Sequence, residues 1–356
     1  MIRSVISATG SYIPEVRIKN ETFHKAEFYE QDGTRSDKDI KIVVGKFEEV
    51  TGIAERRYAK TDQRASDLGF LSAENALKSS GIEREALDYI IVAHNFGDVI
   101  HGNNRVNIVP SLASRIKALL KIQNPDCVAY DLPFGCPGWI QGLIQADYFI
   151  RSGDAKLCLV IGTETLSRII DPHDRDSMIY SDGSGAVILE ASAHPEKGII
   201  SHKTQTFANN YSTLLRMDKS YAKDNSCNQD IFLKMSGRKV YEFALSNVPF
   251  VIKAALDKAA LSIETVDKIL IHQANDKMDA AILARLFKLY GKNEIPEGIM
   301  PMTIGWLGNS SVASVPTLLD VIMKKDLPGH KIQNGDTVVM ASVGAGMNIN
   351  AVVYKF

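Results

Sequence analysis

The sequence predicts an α/β fold made of two similar halves, and three observations support this prediction. Short, continuous apolar runs recur along the chain, as in strands that are covered on both faces. Patterns typical of helices separate those runs. The two halves of the chain also share one order of turns, strands and helices at nearly one spacing.

The clearest strand patterns are short apolar stretches between turns. They lie at residues 89–93, 157–162, 186–189, 269–271 and 337–340. Helical patterns lie between them, and those at residues 66–79 and 241–259 are the most regular. Because strands that alternate with helices are typical of α/β proteins, we expect mostly parallel sheets.

A weak repeat of long period relates the halves. Asp88 precedes a strand pattern in the first half, and Asp267 does so in the second. Each half then has a Gly-rich turn followed by a helix, with Cys136 in the first turn and Asn309 in the second. A Gly-Asp turn and a buried strand follow in both. We interpret this as an ancient duplication, although Gly-Asp turns before strands are common in α/β proteins.

We place the boundary between the halves after residue 195. Residues 1–195 then carry Cys136, and residues 196–356 carry Asn309. The polar stretch at residues 27–39 predicts a surface excursion, and the one at residues 211–229 predicts a loop.

Composition and charge exclude several classes of function. The 356 residues carry a net charge of −1, so the chain lacks the excess of basic residues that is typical of nucleic-acid-binding proteins. The four cysteines have neither the paired spacing of a zinc site nor the density of a disulfide scaffold, and we expect no metal and no cofactor. No apolar run approaches the length that spans a bilayer, and the first residues lack the features of a signal peptide. We therefore expect a cytoplasmic protein without membrane contact.

One cysteine lies where a nucleophile is expected. Cys127 and Cys158 lie in apolar runs and are interpreted as core thiols, while Cys227 lies in a polar loop without a motif. Cys136 lies between glycines, after a strand pattern and before a helix that Pro137 can open. The positive end of that helix would favour the thiolate and lower the cysteine pKa. The alternative is a small buried residue at a tight junction.

Two further residues could assist Cys136. His272 directly follows the strand pattern at residues 269–271, where α/β proteins build sites, although a lone histidine there is more often structural. Asn309 alone indicates a helix N-cap. If the halves pack as equivalents, their turns face each other and Asn309 meets Cys136. Cysteine, histidine and asparagine in this order also describe papain-like proteases, but the surroundings of Cys136 lack the signature of that class.

Six segments in the same order make the chain similar to the β-ketoacyl-[acyl-carrier-protein] synthase III family over nearly its whole length. They are residues 51–57 (Thr-Gly-Ile-Ala-Glu-Arg-Arg), the Cys136 turn, residues 162–167 (Gly-Thr-Glu-Thr-Leu-Ser), residues 181–186 (Ser-Asp-Gly-Ser-Gly-Ala), the His272 segment, and residues 308–316 (Gly-Asn-Ser-Ser-Val-Ala-Ser-Val-Pro). No single segment is decisive, but the six together are highly specific.

The resemblance implies a thiolase-like fold of five layers, αβαβα, in a homodimer. It also implies an acyltransferase that forms a carbon–carbon bond by Claisen condensation between acyl thioesters. Cys136 would accept the acyl group, while His272 and Asn309 would hydrogen-bond the thioester carbonyl of the incoming unit. The loop Gly344-Ala345-Gly346 would add a backbone N–H to the oxyanion hole.

Departures from the family pattern bear on the acyl donor. Lys46 and Val50 stand where the family usually has a tryptophan and an arginine that grip the nucleotide of coenzyme A. Arg175 matches a third nucleotide-contacting residue. Lys277 matches a basic position that meets the acidic acyl carrier protein, with a solvated lysine as the alternative. We therefore expect an acyl carrier protein as donor, with coenzyme A still possible.

Other departures bear on the reaction. The family usually has a phenylalanine at the position of Val343 and a tryptophan at the position of Ile349. That phenylalanine assists decarboxylation of a malonyl unit. Val109 replaces an aromatic residue that closes the acyl tunnel across the dimer. We therefore expect a medium or long acyl primer, and a specialised branch that joins two larger acyl units, such as the olefin-forming or dialkylresorcinol-forming enzymes. Decarboxylative fatty-acid initiation with malonyl carrier protein is the alternative.

Two readings from other classes stay open. A catalytically silent partner subunit would have lost the nucleophile or a helper, whereas Cys136, His272 and Asn309 are all present. A cysteine hydrolase would need a water path and a base beside Cys136.

Overall fold

Two large sheets, three two-stranded sheets and the helices between and around them make up the described part of the chain, residues 2–222 and 230–356 of a computed structural model. The strands are β1 (Arg3–Tyr12), β2 (Val16–Lys19), β3 (Glu55–Tyr58), β4 (Tyr89–His94), β5 (Asp98–Val99), β6 (Val106–Asn107), β7 (Val128–Pro133), β8 (Leu157–Thr165), β9 (Asp182–Ser192), β10 (Gly198–Thr206), β11 (Leu215–Lys219), β12 (Ile231–Met235), β13 (Lys268–Ile271), β14 (Thr337–Gly344) and β15 (Asn348–Lys355). The helices are α1 (Ile40–Thr51), α2 (Ala65–Ser80), α3 (Leu112–Leu119), α4 (Gly138–Ser152), α5 (Gly237–Lys258), α6 (Asp276–Lys288), α7 (Ile304–Leu307) and α8 (Ser314–Met323).

The two main sheets repeat one topology. Sheet I has the strand order β1-β9-β8-β4-β7, and sheet II has the order β10-β15-β14-β13, which matches the first four strands of sheet I. The helices that follow the two Gly-rich turns, α4 and α8, also correspond. Asp88 accepts a hydrogen bond from the Leu157 N–H at 2.9 Å, and Asp267 accepts one from the Thr337 N–H at 2.7 Å. The predicted duplication is confirmed, because equivalent aspartates fix equivalent strands.

The predicted strand direction was wrong in part. In the two main sheets, the pairs β4–β7, β4–β8 and β13–β14 are parallel, while β1–β9, β8–β9, β10–β15 and β14–β15 are antiparallel. The physical reason is the connection between the strands. After β8 and after β14 the chain returns without a crossover helix, and a direct return makes the next strand antiparallel.

Five layers stack through three apolar clusters, the central one of which lies between the two sheets. Helices α2 and α3 cover the outer face of sheet I, and α5 and α6 cover the outer face of sheet II. Between the sheets, Trp139 of α4 and Leu318 of α8 pack against Val160 and Met340. Each such side chain is fully or almost fully buried, and burial of one contributes about 1.5–3 kcal/mol. The central layer therefore holds the ends of α4 and α8 in fixed positions.

The structure confirms other expectations and corrects one more. All five predicted strands lie within β4, β8, β9, β13 and β14, and both predicted helices within or largely within α2 and α5. Residues 215–219 form β11, which pairs with β12, so the stretch at residues 211–229 is not simply a loop. Cys127 and Cys158 are buried as predicted, while Cys227 lies outside the described residues. The proposed boundary after residue 195 falls between β9 and β10.

The described residues contain neither a membrane-spanning helix nor a cluster of metal-binding side chains. No helix in residues 2–222 and 230–356 is long and apolar enough to cross a membrane. In the same part of the chain, no group of three or more His, Cys, Asp or Glu side chains is placed to hold a metal ion.

Candidate functional site

Cys136 lies in a tight turn between β7 and α4. Pro137 is the N-cap of α4 rather than its first residue, so Cys136 stands one position before the helix cap. Gly135 has a φ of 72°, in the left-handed region that favours glycine. A Cβ on Gly135 would lie 2.9 Å from the Ala345 nitrogen. Glycine is therefore required here, and the Cys136 turn packs directly against the loop that follows β14.

The predicted activation of Cys136 by the helix terminus is not what the resting site shows. Burial raises the pKa of the Cys136 thiol to about 11, and a hydrogen bond from Ser311 lowers it only in part. Loss of water around sulfur outweighs the helix dipole because Cys136 lies just outside the helix. At rest Cys136 is therefore a neutral thiol, which would have to lose its proton to act as a nucleophile.

His272 directly follows β13 and is buried, with 3% of its surface exposed. Its Nδ1 lies 2.7 Å from the Ser314 hydroxyl, and that hydroxyl donates to the Ser311 carbonyl at 2.9 Å. Since a hydroxyl has one proton, Nδ1 carries the ring hydrogen and donates to Ser314, which leaves Nε2 as an acceptor. Burial lowers the pKa of His272 to about 4, so the resting imidazole is neutral.

Asn309 is connected to Cys136 through Ser311. The Asn309 side-chain oxygen accepts the Ser311 N–H at 2.8 Å, and the Ser311 hydroxyl donates to the Cys136 sulfur at 3.2 Å. Use of the amide oxygen leaves the amide N–H groups of Asn309 to donate to a ligand. The sequence predicted that Asn309 meets Cys136, and the structure brings the two together through this one intervening side chain.

The loop Gly344-Ala345-Gly346 lies against the Cys136 backbone. A Cβ on Gly344 would stand 2.6 Å from the Cys136 nitrogen. The Asn348 side chain holds the loop by donating to the Ala345 carbonyl at 2.7 Å. Backbone groups of both segments are thus available beside the sulfur, as an oxyanion hole requires.

Two separate cavities lie beside this site. Cavity A, of about 220 Å³, includes Cys136 and Ser311 and is otherwise mostly apolar. Cavity B, of about 840 Å³, has Asn309 in its wall and extends between α1, α5 and α6. Residues 179–181, which hydrogen-bond the Asn309 backbone, separate the two cavities, because Ile179 lines cavity B and Tyr180 lines cavity A.

The other predicted binding residues are dispersed. Arg175 lines cavity B and pairs with Glu30 at 3.0 Å. Lys277 lies on the surface near the start of α6, 3.7 Å from Glu49. Val109 is 81% exposed in the single chain and does not line cavity A. Of these three, only Arg175 is brought into the two cavities.

Four cations line cavity B, against one carboxylate, that of Asp176. The cations are Lys38, Lys46, Arg175 and Arg238. Lys46 and Val50, the positions that depart from the family pattern, both lie in this wall. The lining therefore combines an apolar passage with positive charge, a combination suited to a flexible arm that ends in an anionic group.

A buried ion cluster holds one wall of cavity A. The hairpin of β11 and β12 contributes Leu215, Met217 and Leu233 to that wall. Lys234 of the same hairpin is 0% exposed and pairs with Asp171 and Asp174. Both carboxylates are buried, so the cluster anchors the hairpin to the segment that follows β8.

Sequence reasoning missed three residues of the site. Ser311 contacts Cys136, and Asn95 and Glu164 stand behind Ser311. Glu164 and Ser311 fell within segments used for the family resemblance, but nothing in those segments marked them as neighbours of sulfur. Asn95, at the end of β4, gave no signal beyond its place after a buried strand.

Known proteins are similar to this chain in sequence. The profile of 3-oxoacyl-[acyl-carrier-protein (ACP)] synthase III matches residues 130–207, and that of its C-terminal part matches residues 256–356. A β-ketoacyl-[acyl-carrier-protein] synthase III of Paracoccus denitrificans is 32% identical over 361 positions that cover 100% of both chains.

Solved structures are similar to this chain as well. The 3-oxoacyl-[acyl-carrier-protein] synthase III of Aquifex aeolicus has a TM-score of 0.78 at 28% identity, covering 99% of this chain and 100% of that one. The synthase III of Thermus thermophilus has a TM-score of 0.80 at 30% identity, covering 99% of both.

Proposed function

Since the chain belongs to the 3-oxoacyl-[acyl-carrier-protein] synthase III family of condensing acyltransferases, we propose that Cys136 is its acyl acceptor and that His272 and Asn309 activate the second thioester. The observation that carries the proposal is the position of the Cys136 sulfur in an apolar cavity, beside a second cavity lined by Asn309. An acyl chain on sulfur would occupy cavity A, and the incoming thioester would reach it through cavity B.

Loading needs a proton acceptor, because the resting thiol is neutral. The Nε2 lone pair of His272 supports this role. As sulfur bonds to the acyl carbon and the bond to the carrier sulfur breaks, the thiol proton passes to His272 and then to the departing carrier thiolate. Atoms and charge balance without a cofactor.

Condensation needs donors at the carbonyl oxygen of the second unit. Asn309 lines cavity B, and its oxygen is occupied by the Ser311 N–H, so its amide N–H groups supply one donor. His272 supplies the other once its Nε2 lone pair has taken the α-proton of the second unit, because the ring then carries a hydrogen on that nitrogen. The enolate so formed attacks the acyl carbon, the new carbon–carbon bond forms, the bond to the Cys136 sulfur breaks, and the proton held by His272 passes to the departing sulfur. Backbone N–H groups at Cys136 and at the Gly344-Ala345-Gly346 loop stabilise the intermediate oxyanion.

The charge around cavity B favours an acyl carrier protein as donor. Lys46 and Val50 offer no aromatic surface on which an adenine could stack. Arg175 and Arg238 remain to bind a phosphate, and the exposed Lys277 can meet an acidic partner. Coenzyme A shares the same phosphopantetheine arm and is the alternative donor.

The reaction proposed is a condensation of two acyl thioesters larger than acetyl and malonyl. Val343 and Ile349 are opposite each other on β14 and β15 and are buried, so no aromatic ring stands there to assist loss of carbon dioxide. A dialkylresorcinol-forming or olefin-forming branch fits this arrangement. Fatty-acid initiation with malonyl carrier protein is the second candidate.

We also propose a homodimer. Strand β7 is an edge of sheet I, and Val128 at its start is 47% exposed. Ile108 and Val109 add exposed apolar surface at 56% and 81%. An unpaired edge beside apolar side chains is typical of an interface between chains. Sedimentation should give twice the 39.2 kDa of one chain, and a monomer for the wild type would oppose this proposal.

The test is turnover with matched substrates. Purified enzyme would receive acyl groups of several lengths on carrier protein or coenzyme A, each with a malonyl or a second acyl thioester. Product masses identify the joined units, and release of labelled carbon dioxide reports decarboxylation. Products of two long acyl units without carbon dioxide release support the specialised reaction. Products only from short primers with malonyl carrier protein would replace it with initiation.

A further inference from the structure

A hydroxyl group is directed at the nucleophilic sulfur. The Ser311 Oγ donates to the Cys136 Sγ at 3.2 Å, and this contact lies at the point where cavity A meets the Asn309 turn. The role of a hydroxyl depends on where its single proton points. Three neighbouring contacts determine that direction.

The Asn95 side chain leaves only one direction in which the Ser311 hydroxyl proton can point, towards the Cys136 sulfur. The Asn95 amide nitrogen donates to the Ser311 oxygen at 2.9 Å. An amide NH₂ group only donates, so the Ser311 oxygen has to accept there. The hydroxyl proton is then free to lie on the Cys136 sulfur.

Glu164 in turn determines which end of the Asn95 amide faces Ser311. The second N–H of the Asn95 NH₂ group donates to the Glu164 carboxylate, and the Asn95 backbone N–H donates to the same oxygen at 3.1 Å. Glu164 is 1% exposed, so these contacts replace its water. Burial raises the pKa of Glu164 to about 7, so above that pH a turned amide would place its oxygen against the carboxylate, and this repulsion keeps NH₂ towards Ser311.

The backbone of Ser311 adds a third constraint. Its φ of 53° lies in the left-handed region, which costs a non-glycine residue about 1 kcal/mol. The Asn309 side-chain oxygen holds this conformation through the Ser311 N–H at 2.8 Å, and the Ser314 hydroxyl holds the Ser311 carbonyl at 2.9 Å. The chain thus keeps a strained residue where its hydroxyl reaches sulfur.

We propose that Ser311 is a further catalytic residue that donates to the Cys136 sulfur, and that Asn95 and Glu164 are positioning residues that aim its proton. The inference rests on the proposed role of Cys136 as acyl acceptor. Negative charge appears on sulfur twice, when the thiol attacks the donor and when the condensed product leaves. A donor aimed in advance stabilises both moments without reorganising.

The test is the reactivity of the Cys136 thiol itself. Alkylation by iodoacetamide, measured by peptide mass at Cys136 over a range of pH, reports the thiolate without any acyl donor. Ser311→Ala should move this profile to higher pH and slow alkylation at fixed pH about tenfold, since a hydrogen bond to a charged group is lost. Ser310→Ala removes the neighbouring hydroxyl and is the matched control. Thermal melts check that each variant is folded.

A double-mutant cycle tests the positioning residues. Asn95→Ala should slow alkylation in the wild type but add nothing in the Ser311→Ala background, because it acts only through Ser311. An unchanged profile for folded Ser311→Ala, or an equal effect of Asn95→Ala in both backgrounds, would overturn the inference. If Cys136→Ala still formed an acyl-enzyme, the proposed acceptor would fall while the alkylation data would still decide the role of Ser311.

Discussion

Gly344 approaches Cys136 so closely that a single methyl group there should displace the nucleophile. A Cβ at Gly344 would stand 2.6 Å from the Cys136 nitrogen and 2.9 Å from its Cβ, whereas ordinary contact begins at 3.4 Å. The φ of Gly344 is −169°, extended backbone that alanine adopts freely. The whole effect of Gly344→Ala therefore comes from the contact, which requires a shift of about 0.8 Å between the two segments.

That shift sets the expected magnitude. Misplacement of a reacting group by roughly 1 Å costs about a hundredfold in rate, so acyl transfer to Cys136 should fall by about that factor in Gly344→Ala. Overpacking should cost about 1–3 kcal/mol of stability, which leaves the protein folded. Single-turnover acylation, followed by intact mass, measures the first effect.

The control is Gly45→Ala in α1, where a Cβ meets nothing within 4 Å. This variant should keep the acylation rate of the wild type and gain up to about 1 kcal/mol of stability from helix propensity. A folded Gly344→Ala enzyme with wild-type acylation would refute the packing of the loop against the nucleophile.

Three further perturbations have defined outcomes. Lys234→Ala leaves the buried carboxylates of Asp171 and Asp174 uncompensated. The free energy of unfolding, measured in urea, should therefore fall by about 3–5 kcal/mol. A fall below about 1 kcal/mol would mean that the cluster does not anchor the hairpin. Burial raises the pKa of Cys136 to about 11, so the thiolate fraction and the alkylation rate should rise about tenfold per pH unit from neutral pH upward. An alkylation rate that reaches a plateau near neutral pH would show that the thiol is already ionised there. Arg238→Glu reverses a charge in the wall of cavity B, so the KM for acyl carrier protein should rise severalfold at low salt and less at high salt. An unchanged KM would argue against carrier binding at that wall.

The fold was predictable where local pattern decides it. Residues 89–93 form a strand because continuous apolar runs suit a sheet covered on both faces. The antiparallel strands β9 and β15 were not foreseen, because strand direction depends on whether a helix crosses over, and apolar periodicity does not report this. The repeat was visible because equivalent aspartates hold equivalent strands in both halves.

The sequence marks the candidate residues of the site but not the contacts around them. Cys136, His272 and Asn309 stand at strand and helix ends that the sequence marks. Ser311, Asn95 and Glu164 belong to the site through contacts between segments far apart in the chain. Their roles depend on a left-handed backbone and on the direction of an amide, neither of which composition or spacing encodes. The pKa of Cys136 was predicted in the wrong direction, because burial of a side chain follows from tertiary packing.

The most direct test of the central claim is the intact mass of the enzyme after incubation with acyl carrier proteins and acyl-coenzyme A esters. Wild type should gain the mass of one acyl group, peptide mapping should place it on Cys136, and Cys136→Ala should gain none. A second thioester should then discharge the group as a longer product. A folded dimer that gains no mass from any donor, or an acyl group that persists in Cys136→Ala, would contradict the account.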